Sequence, residues 1–569
     1  MTKASPTTYP ALRAAAVMLL STIAFSYLIT TSLFCLDISV TPWQFPLSIL
    51  LAFAASVFFG GKSPSDRRKS LTGALAATLL IAILIPICGV LPDYSHDGNF
   101  YHQEIIAYLL DGWNPVTTPV PSDDCSLWSM HYSKGLEISE ACVAATTGYI
   151  ETGKVVNLII ITGVALASFI FIHNYFPSLS RTRLTLSALV IALNPVGLSQ
   201  VTTFYIDYAA YYMMLLAIMM TIELSHRITV ARALSLIALI IVSAGVKLTA
   251  FFYTGLAIIM VGAWLIYRRY PWPKLFAIAA LSLAGALAGL LLFGYHPYMT
   301  NLLSQGNPFY PLVGEGAVDI MTSNTPQEFQ CDRFTAFLRS LSSIVIPTVD
   351  SRAGGFGPLM IPLLLMSATA LTFTRSRYRA PLRYAAILSL LSCFIFEQSW
   401  WARYNPQLWL IPSVGFLAAE DIITKSWRKL LVCGIASCAL LTGGICATRG
   451  IFANIRIKIL RDVIYREFGK TGRPVTIYAL TPPAERHFAE KGFEVIELIP
   501  ENANPQANQP ITPYRAIGFY GNQHNTPFPR VILESDMQLS DFNLDSGLPR
   551  AIGLDTYLFT PDQIFPPIP

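Results

Sequence analysis

Charge is what this chain has too little of: Asp, Glu, Lys and Arg make up 13% of its 569 residues, about half the share of an ordinary soluble domain. With 53% hydrophobic residues and a mean hydropathy of +0.50, polar surface is too scarce to coat a globule of this size in water, so most of the chain belongs in lipid. Other absences narrow the field. No basic stripe is interleaved with aromatics, which argues against a nucleic-acid partner. The nine cysteines form no CxxC pair and no Cys/His spacing, which argues against structural zinc. Most of them (Cys35, Cys88, Cys393, Cys433, Cys438, Cys446) lie in apolar runs, where cysteine acts as a small hydrophobe. No small-residue cleavage site follows the first apolar run, so that run is read as a retained helix. No internal repeat is visible.

What is there is a series of apolar runs. A span needs about 20 mostly apolar residues. The candidate runs are 14–35, 43–60, 71–91, 155–175, 184–200, 208–224, 234–250, 251–267, 275–293, 356–373, 384–396, 404–419 and 430–447. The sequence therefore predicts a mainly α, polytopic membrane protein of about thirteen transmembrane helices. Two stretches, 234–267 and 384–419, are short for the two helices each that this count requires. Lys and Arg in short loops stay on the cytoplasmic side, and this decides between the alternatives. With the N-terminus inside, hairpins at both places keep Lys3, Arg13, Lys62, Arg67, Arg68, Lys69, Arg181, Arg183, Arg227, Arg232, Arg268, Arg269, Lys274, Arg375, Arg377, Arg379, Arg383, Lys425, Arg428 and Lys429 together in the cytoplasm. Reading either stretch as one helix scatters them.

Three polar pieces then fall outside: the loops 92–154 and 294–355 and the tail 449–569. The first loop has nine acids from Asp93 to Glu151 but only Lys134 and Lys154 as cations. In the tail, 474–480 reads as a strand, 484–491 as a helix and 493–499 as a strand, which predicts a small external α/β domain after a membrane domain of 1–448.

The densest polar cluster follows the third run, from Pro92 through Asp97, Gly98 and His102 to Pro115. A helix over about 100–110, with Ile105, Ile106, Leu109 and Leu110 on one face, is expected to lie along the membrane surface. Asp97 stands just before it, where the plainer role is to cap the helix. Gly98 leaves backbone room beside it. Arg403 and Lys247 fall at external span ends, where long cationic side chains commonly snorkel. Asp207 starts another span on the same side, and an acid there is costly unless it pairs or meets water. His96, His102 and His131 near Asp93 or Asp97 raise a metal, but without diagnostic spacing; no metal or other cofactor is assigned. Tyr298, Phe309 and Tyr310 read as interface anchors.

An acid just after an early span, in a large first external loop, resembles the GT-C superfamily of polyprenyl-phosphate-dependent glycosyltransferases, which includes protein O-mannosyltransferases and lipid A aminoarabinose transferases. The likeness covers the membrane region to about Ala447. It rests on Ser95-His-Asp-Gly-Asn-Phe-Tyr101, His131-Tyr-Ser-Lys-Gly135, Asn307-Pro-Phe-Tyr-Pro311 and Trp400-Trp-Ala-Arg-Tyr404. Three spans, not one, precede the loop here, which departs from the family pattern. The resemblance implies transfer of a sugar from a lipid-linked phosphate donor to an envelope glycan, lipid or protein on the non-cytoplasmic face of the inner membrane. Asp97 is then the base, and Arg403 and Lys247 hold the donor phosphate. Tyr101, His102, His131, Lys134, Asp207, His296, Asn301 and Tyr404 are the further substrate-binding candidates.

Two other readings stand beside this one. A transporter or flippase for a lipid-linked glycan calls for mid-membrane charges and inverted repeats, whereas the acids here gather at span ends. The other is a non-catalytic envelope-assembly scaffold. Cys125 and Cys331, both in external loops where oxidation is permitted, are expected either to form a disulfide or to stay as two free thiols.

Overall fold

The computed structural model describes residues 9–60, 63–121, 127–318, 325–351, 355–422, 424–471, 475–478, 483–499, 515–517 and 530–533. The expected pairing of Cys125 with Cys331 lies outside them, because Cys125 is not described. Among the described residues, seven helices are long and apolar enough to cross a membrane: Pro10–Phe34, Pro64–Gly89, Ile150–Tyr175, Ala209–His226, Leu248–Tyr267, Trp272–Phe293 and Lys425–Ile459. Gln44–Phe58, Val230–Val246, Met360–Phe373 and Pro406–Ala419 are apolar but shorter. The chain is a mainly α, membrane-embedded protein.

Local chemistry sets the helix ends. Ser63, Ser180 and Thr229 each accept a hydrogen bond from the third backbone amide of the helix that follows, satisfying a donor that the helix itself leaves free. Within 234–267 the break falls at Lys247, whose extended backbone (φ −166°, ψ 145°) separates Val230–Val246 from Leu248–Tyr267. Small residues let the helices approach: a Cβ on Gly73 would run into the backbone of Ala11, and one on Gly163 into Leu20.

Three expectations need correcting. The run 184–200 is not one helix but two, Arg181–Ala192 and Pro195–Gln200, because Pro195 has no amide to donate and Asn194 caps a new start at Val196 N (3.0 Å). The last helix does not stop near 447. It runs over Lys425–Thr471, 47 residues and so about 70 Å at 1.5 Å per residue, more than twice the hydrocarbon thickness. Its polar extension carries Arg449, Arg456, Lys458, Arg461, Arg466 and Lys470, and Arg and Lys are good helix formers. Finally, Gln103–Leu110 has no lipid-facing side, since Gln103, Glu104, Ile105, Ile106, Ala107, Tyr108 and Leu109 are all buried by protein.

The cations expected in the cytoplasm tie one end of the bundle together. Arg183 pairs with Glu420 (3.1 Å), Arg377 donates to Tyr175 O (3.2 Å), Lys274 to Ser225 O (3.1 Å) and Arg383 to Leu371 O (2.6 Å). In the tail, Val475–Tyr478 pairs in parallel with Val495–Ile499 and antiparallel with Arg530–Leu533, and Arg515–Ile517 pairs antiparallel with the last of these. Pro483–Ala489 is the helix between the first two strands.

The tail is joined to the first loop through buried polar groups. Arg461 reaches Glu151 (3.0 Å) and Asn99 Oδ1 (3.2 Å), His487 reaches Gln103 Oε1 (2.7 Å), and Glu490 accepts from Ile150 N (2.8 Å). Asn99 in turn donates to Asp93 O (3.1 Å) and Ser95 O (2.7 Å). The long helix and the helix after it therefore grip the segment that carries Asp97.

Candidate active site

The chain segments carrying Asp97, Asp207, Lys247, Asp350 and Arg403 meet at one end of the helices. Asp97 follows the end of Pro64–Gly89 and immediately precedes the wide turn Gly98–His102. Asp207 lies two residues before Ala209–His226, and Lys247 sits in the helix break described above. Arg403 lies in the short turn Ala402–Tyr404. This turn is fixed by Tyr404 N and Asn405 N donating to Trp401 O and Ala402 O (both 3.0 Å) and by Asn405 Nδ2 donating to Gln398 O (3.0 Å).

Arg403 is the hub. Its Nη1 donates to Asp97 Oδ2 at 2.8 Å and lies 3.1 Å from Asp350 Oδ1 and 3.9 Å from Asp207 Oδ2. The guanidinium lies over Trp401 (4.4 Å), Tyr404 (5.3 Å) and Tyr205 (5.4 Å), contacts in which a planar cation can stack face to face. Its Nε is buried with no hydrogen-bond partner among the described residues. Lys247 pairs with Asp207 Oδ1 and also lies over Tyr404 (5.3 Å), while Gln200 Nε2 holds Asp207 Oδ2 (3.1 Å). The acids outnumber the two long cations, and His96 Nδ1 bonds Asp97 Oδ1 at 3.0 Å. Burial pushes the Asp97 carboxyl up, but Arg403 and then His96 outweigh it and hold it well below the ordinary carboxylate value. Asp207 is lowered in the same way, burial being outweighed by Lys247 and Arg403.

Two readings of this segment are corrected. The Asp97 side chain makes no capping bond to the helix behind it, because Arg403 and His96 take both of its oxygens. Gly98 does not leave room for a substrate: a Cβ there would collide with Asp93 Oδ2 and Ser95 Oγ.

A cavity adjoins the cluster. Lys247 lines it together with Tyr101, His102, His131, Tyr132, Glu137, Ile206, Tyr298, Phe309 and Tyr310. Tyr298, expected at the membrane interface, is 3% exposed and donates to Ala244 O (2.7 Å). The aromatic side chains of the second loop wall the cavity because that loop folds back over the first.

Lys134, His296 and Asn301 hold the two loops together. Asn301 bonds His131 Nδ1 (2.7 Å) through its oxygen and donates to His131 O (3.2 Å) and Tyr310 O (2.8 Å). Lys134 Nζ donates to His296 Nε2 (2.7 Å) and to Tyr132 O (2.8 Å). Burial and then Lys134 keep the His296 imidazole well below its ordinary value, so it stays neutral and accepts that bond. The candidates thus divide: Asp97, Arg403, Asp207 and Tyr404 in the ion cluster, Lys247 shared, Tyr101, His102 and His131 on the cavity wall, and Lys134, His296 and Asn301 behind it. His96, His102 and His131 bond Asp97, Glu137 and Asn301 respectively, and no group of three side chains suited to a metal ion occurs among the described residues.

Sequence reasoning missed Asp350, Tyr205 and Glu137. Asp350 stands in an unremarkable Thr-Val-Asp-Ser stretch, whereas Tyr205 lies two residues from Asp207 and Glu137 two residues past the His131–Gly135 patch. Comparisons with family models, curated proteins and solved structures find no match to this chain.

Proposed function

We propose that the chain is a membrane glycosyltransferase of GT-C type, moving a sugar from a polyprenyl-phosphate donor to an envelope glycan, lipid or protein. The observation that carries this reading is Arg403: a buried, charged fork set between Asp97, Asp350 and Asp207, with Lys247 one carboxylate away and a cavity alongside. A leaving phosphate needs cations that are already positioned where its charge grows. Arg403, with Nε uncommitted, and Lys247 supply them. In the reaction the acceptor oxygen bonds to the anomeric carbon while the carbon–oxygen bond to phosphate breaks, and the electron pair leaves on the phosphate. Asp97 takes the acceptor's proton and passes it to solvent or to the departing phosphate. Its lowered pKa makes it a weak base that is always ionised, suited to accepting the proton late in attack. As phosphate draws Arg403, the carboxylate that Arg403 releases regains basicity.

The same reading includes about thirteen spans, a cytoplasmic N-terminus, and loops and an α/β tail domain on the periplasmic side of the inner membrane. The gathering of Arg183, Arg377, Lys274 and Arg383 at the other helix ends supports it, as does the parallel strand–helix–strand unit of the tail. The test is sugar release from polyprenyl-phosphate-linked sugars by purified protein, and restoration of the missing envelope glycan in a deletion strain. Wild-type performance by Asp97→Asn in both assays removes the main support.

A further inference from the structure

Glu137 is a buried carboxylate that the cluster around Arg403 does not use. It lies on Gly135–Thr147, is 1% exposed, and lines the cavity that Lys247 also lines. His102 Nδ1 bonds its Oε1 at 2.6 Å. Its Oε2 is buried with no hydrogen-bond partner among the described residues. Leaving a buried charged acceptor unsatisfied is costly, and an aliphatic chain in the cavity would leave it so. Around it stand faces suited to the C–H side of a sugar ring: Tyr101, Tyr298 and Phe309. The cavity lining carries both signs, with Lys247 and Glu137 among its residues. Lys247 attracts an anion, while Glu137 repels one and accepts from donors. Lys247 is paired with Asp207, and a neutral hydroxyl satisfies Oε2 without adding a further charge to the cavity.

We infer that this cavity holds the glycosyl ring of the donor, phosphate towards Lys247, with Glu137 Oε2 accepting from a ring hydroxyl and His102 as the positioning residue that orients the carboxylate. This rests on the donor reading above and assigns Glu137 as the residue that selects for the sugar.

The experiment uses the full chain in nanodiscs of phosphatidylethanolamine and phosphatidylglycerol. Binding is measured for polyprenyl monophosphate without sugar and for polyprenyl phosphates carrying glucose, mannose, galactose, arabinose or an amino-substituted pentose. The expected result is that at least one neutral glycosylated probe binds about tenfold or more tighter than the bare lipid phosphate, the worth of a hydrogen bond to a charged acceptor. Glu137→Gln and Glu137→Leu lose that preference while binding bare lipid phosphate as wild type does, which also shows that they fold. Equal binding of bare and glycosylated probes by wild type overturns the inference alone, as does a preference that survives in both variants or one confined to the amino-substituted probe. Failure of every probe, bare lipid phosphate included, overturns the donor reading and this inference with it.

Discussion

Arg403 Nη1 donates to Asp97 Oδ2 at 2.8 Å across 306 positions of sequence. The bond joins the first external loop to the Trp-Trp-Ala-Arg-Tyr turn near the end of the membrane region. It leaves Asp97 ionised and Arg403 charged, so neither can be changed without disturbing the other.

Asp97→Asn preserves size but removes the charge, so folding survives while turnover of a lipid-phosphate sugar falls by about 10²–10⁴-fold. Arg403→Lys keeps the charge but loses the planar fork and its stacking on Trp401, and activity falls as well. Initial rates at saturating donor measure both, and an unchanged rate in Asp97→Asn sinks the base assignment.

His96 helps hold the Asp97 carboxyl low. A depressed folded-state value means that this carboxylate adds stability above the ordinary Asp pKa of about 3.9 and loses it as the pH falls further. Replacing His96 by Phe raises the Asp97 pKa, so the acidic limb of the pH–rate profile moves to higher pH. A limb that stays in place shows that His96 does not act on the base.

Glu140 shows the opposite sign. Both its oxygens are buried without hydrogen-bond partners among the described residues. Burial, with Glu137 and Asp93 nearby, pushes it well above its ordinary value. The folded chain holds that proton more tightly than the unfolded chain, so stability falls as the pH rises above the unfolded value of about 4.3. Glu140→Gln flattens this slope in thermal unfolding measured across pH, and an unchanged slope rules Glu140 out as its source.

Arg461→Met leaves Glu151 without one of its buried cations and Asn99 without one of its donors. Breaking a buried pair from one side costs about 3–5 kcal/mol. Unfolding in detergent reads the loss. Because Asn99 holds Asp93 O and Ser95 O, turnover falls too, even in the fraction that stays folded.

Reporter fusions after Thr117 and after Pro569 both report the non-cytoplasmic side. A cytoplasmic signal from either one overturns the proposed topology.

Sequence alone determined the membrane class and the positions of most helices, because hydropathy and charge placement are properties of short windows. That a break falls within 234–267 was legible for the same reason, since a hairpin was needed to keep the cations together, but it lies at Lys247 and not between 250 and 251. Asp97, Asp207, Lys247 and Arg403 were each visible as charges at span ends, where a charge needs a reason. Their meeting was not visible, because four segments far apart in sequence converge only through helix packing. That packing also brought in Asp350, whose own stretch carries no signal. It turned Asp97 from a helix cap into an ion-pair partner, and it buried Gln103–Leu110, whose apolar face had suggested a membrane surface. It drew His296, Lys134 and Asn301 into a tie between loops and left Glu137 facing a cavity. Local pattern tells what a residue avoids; only the neighbours supplied by the fold tell what it touches.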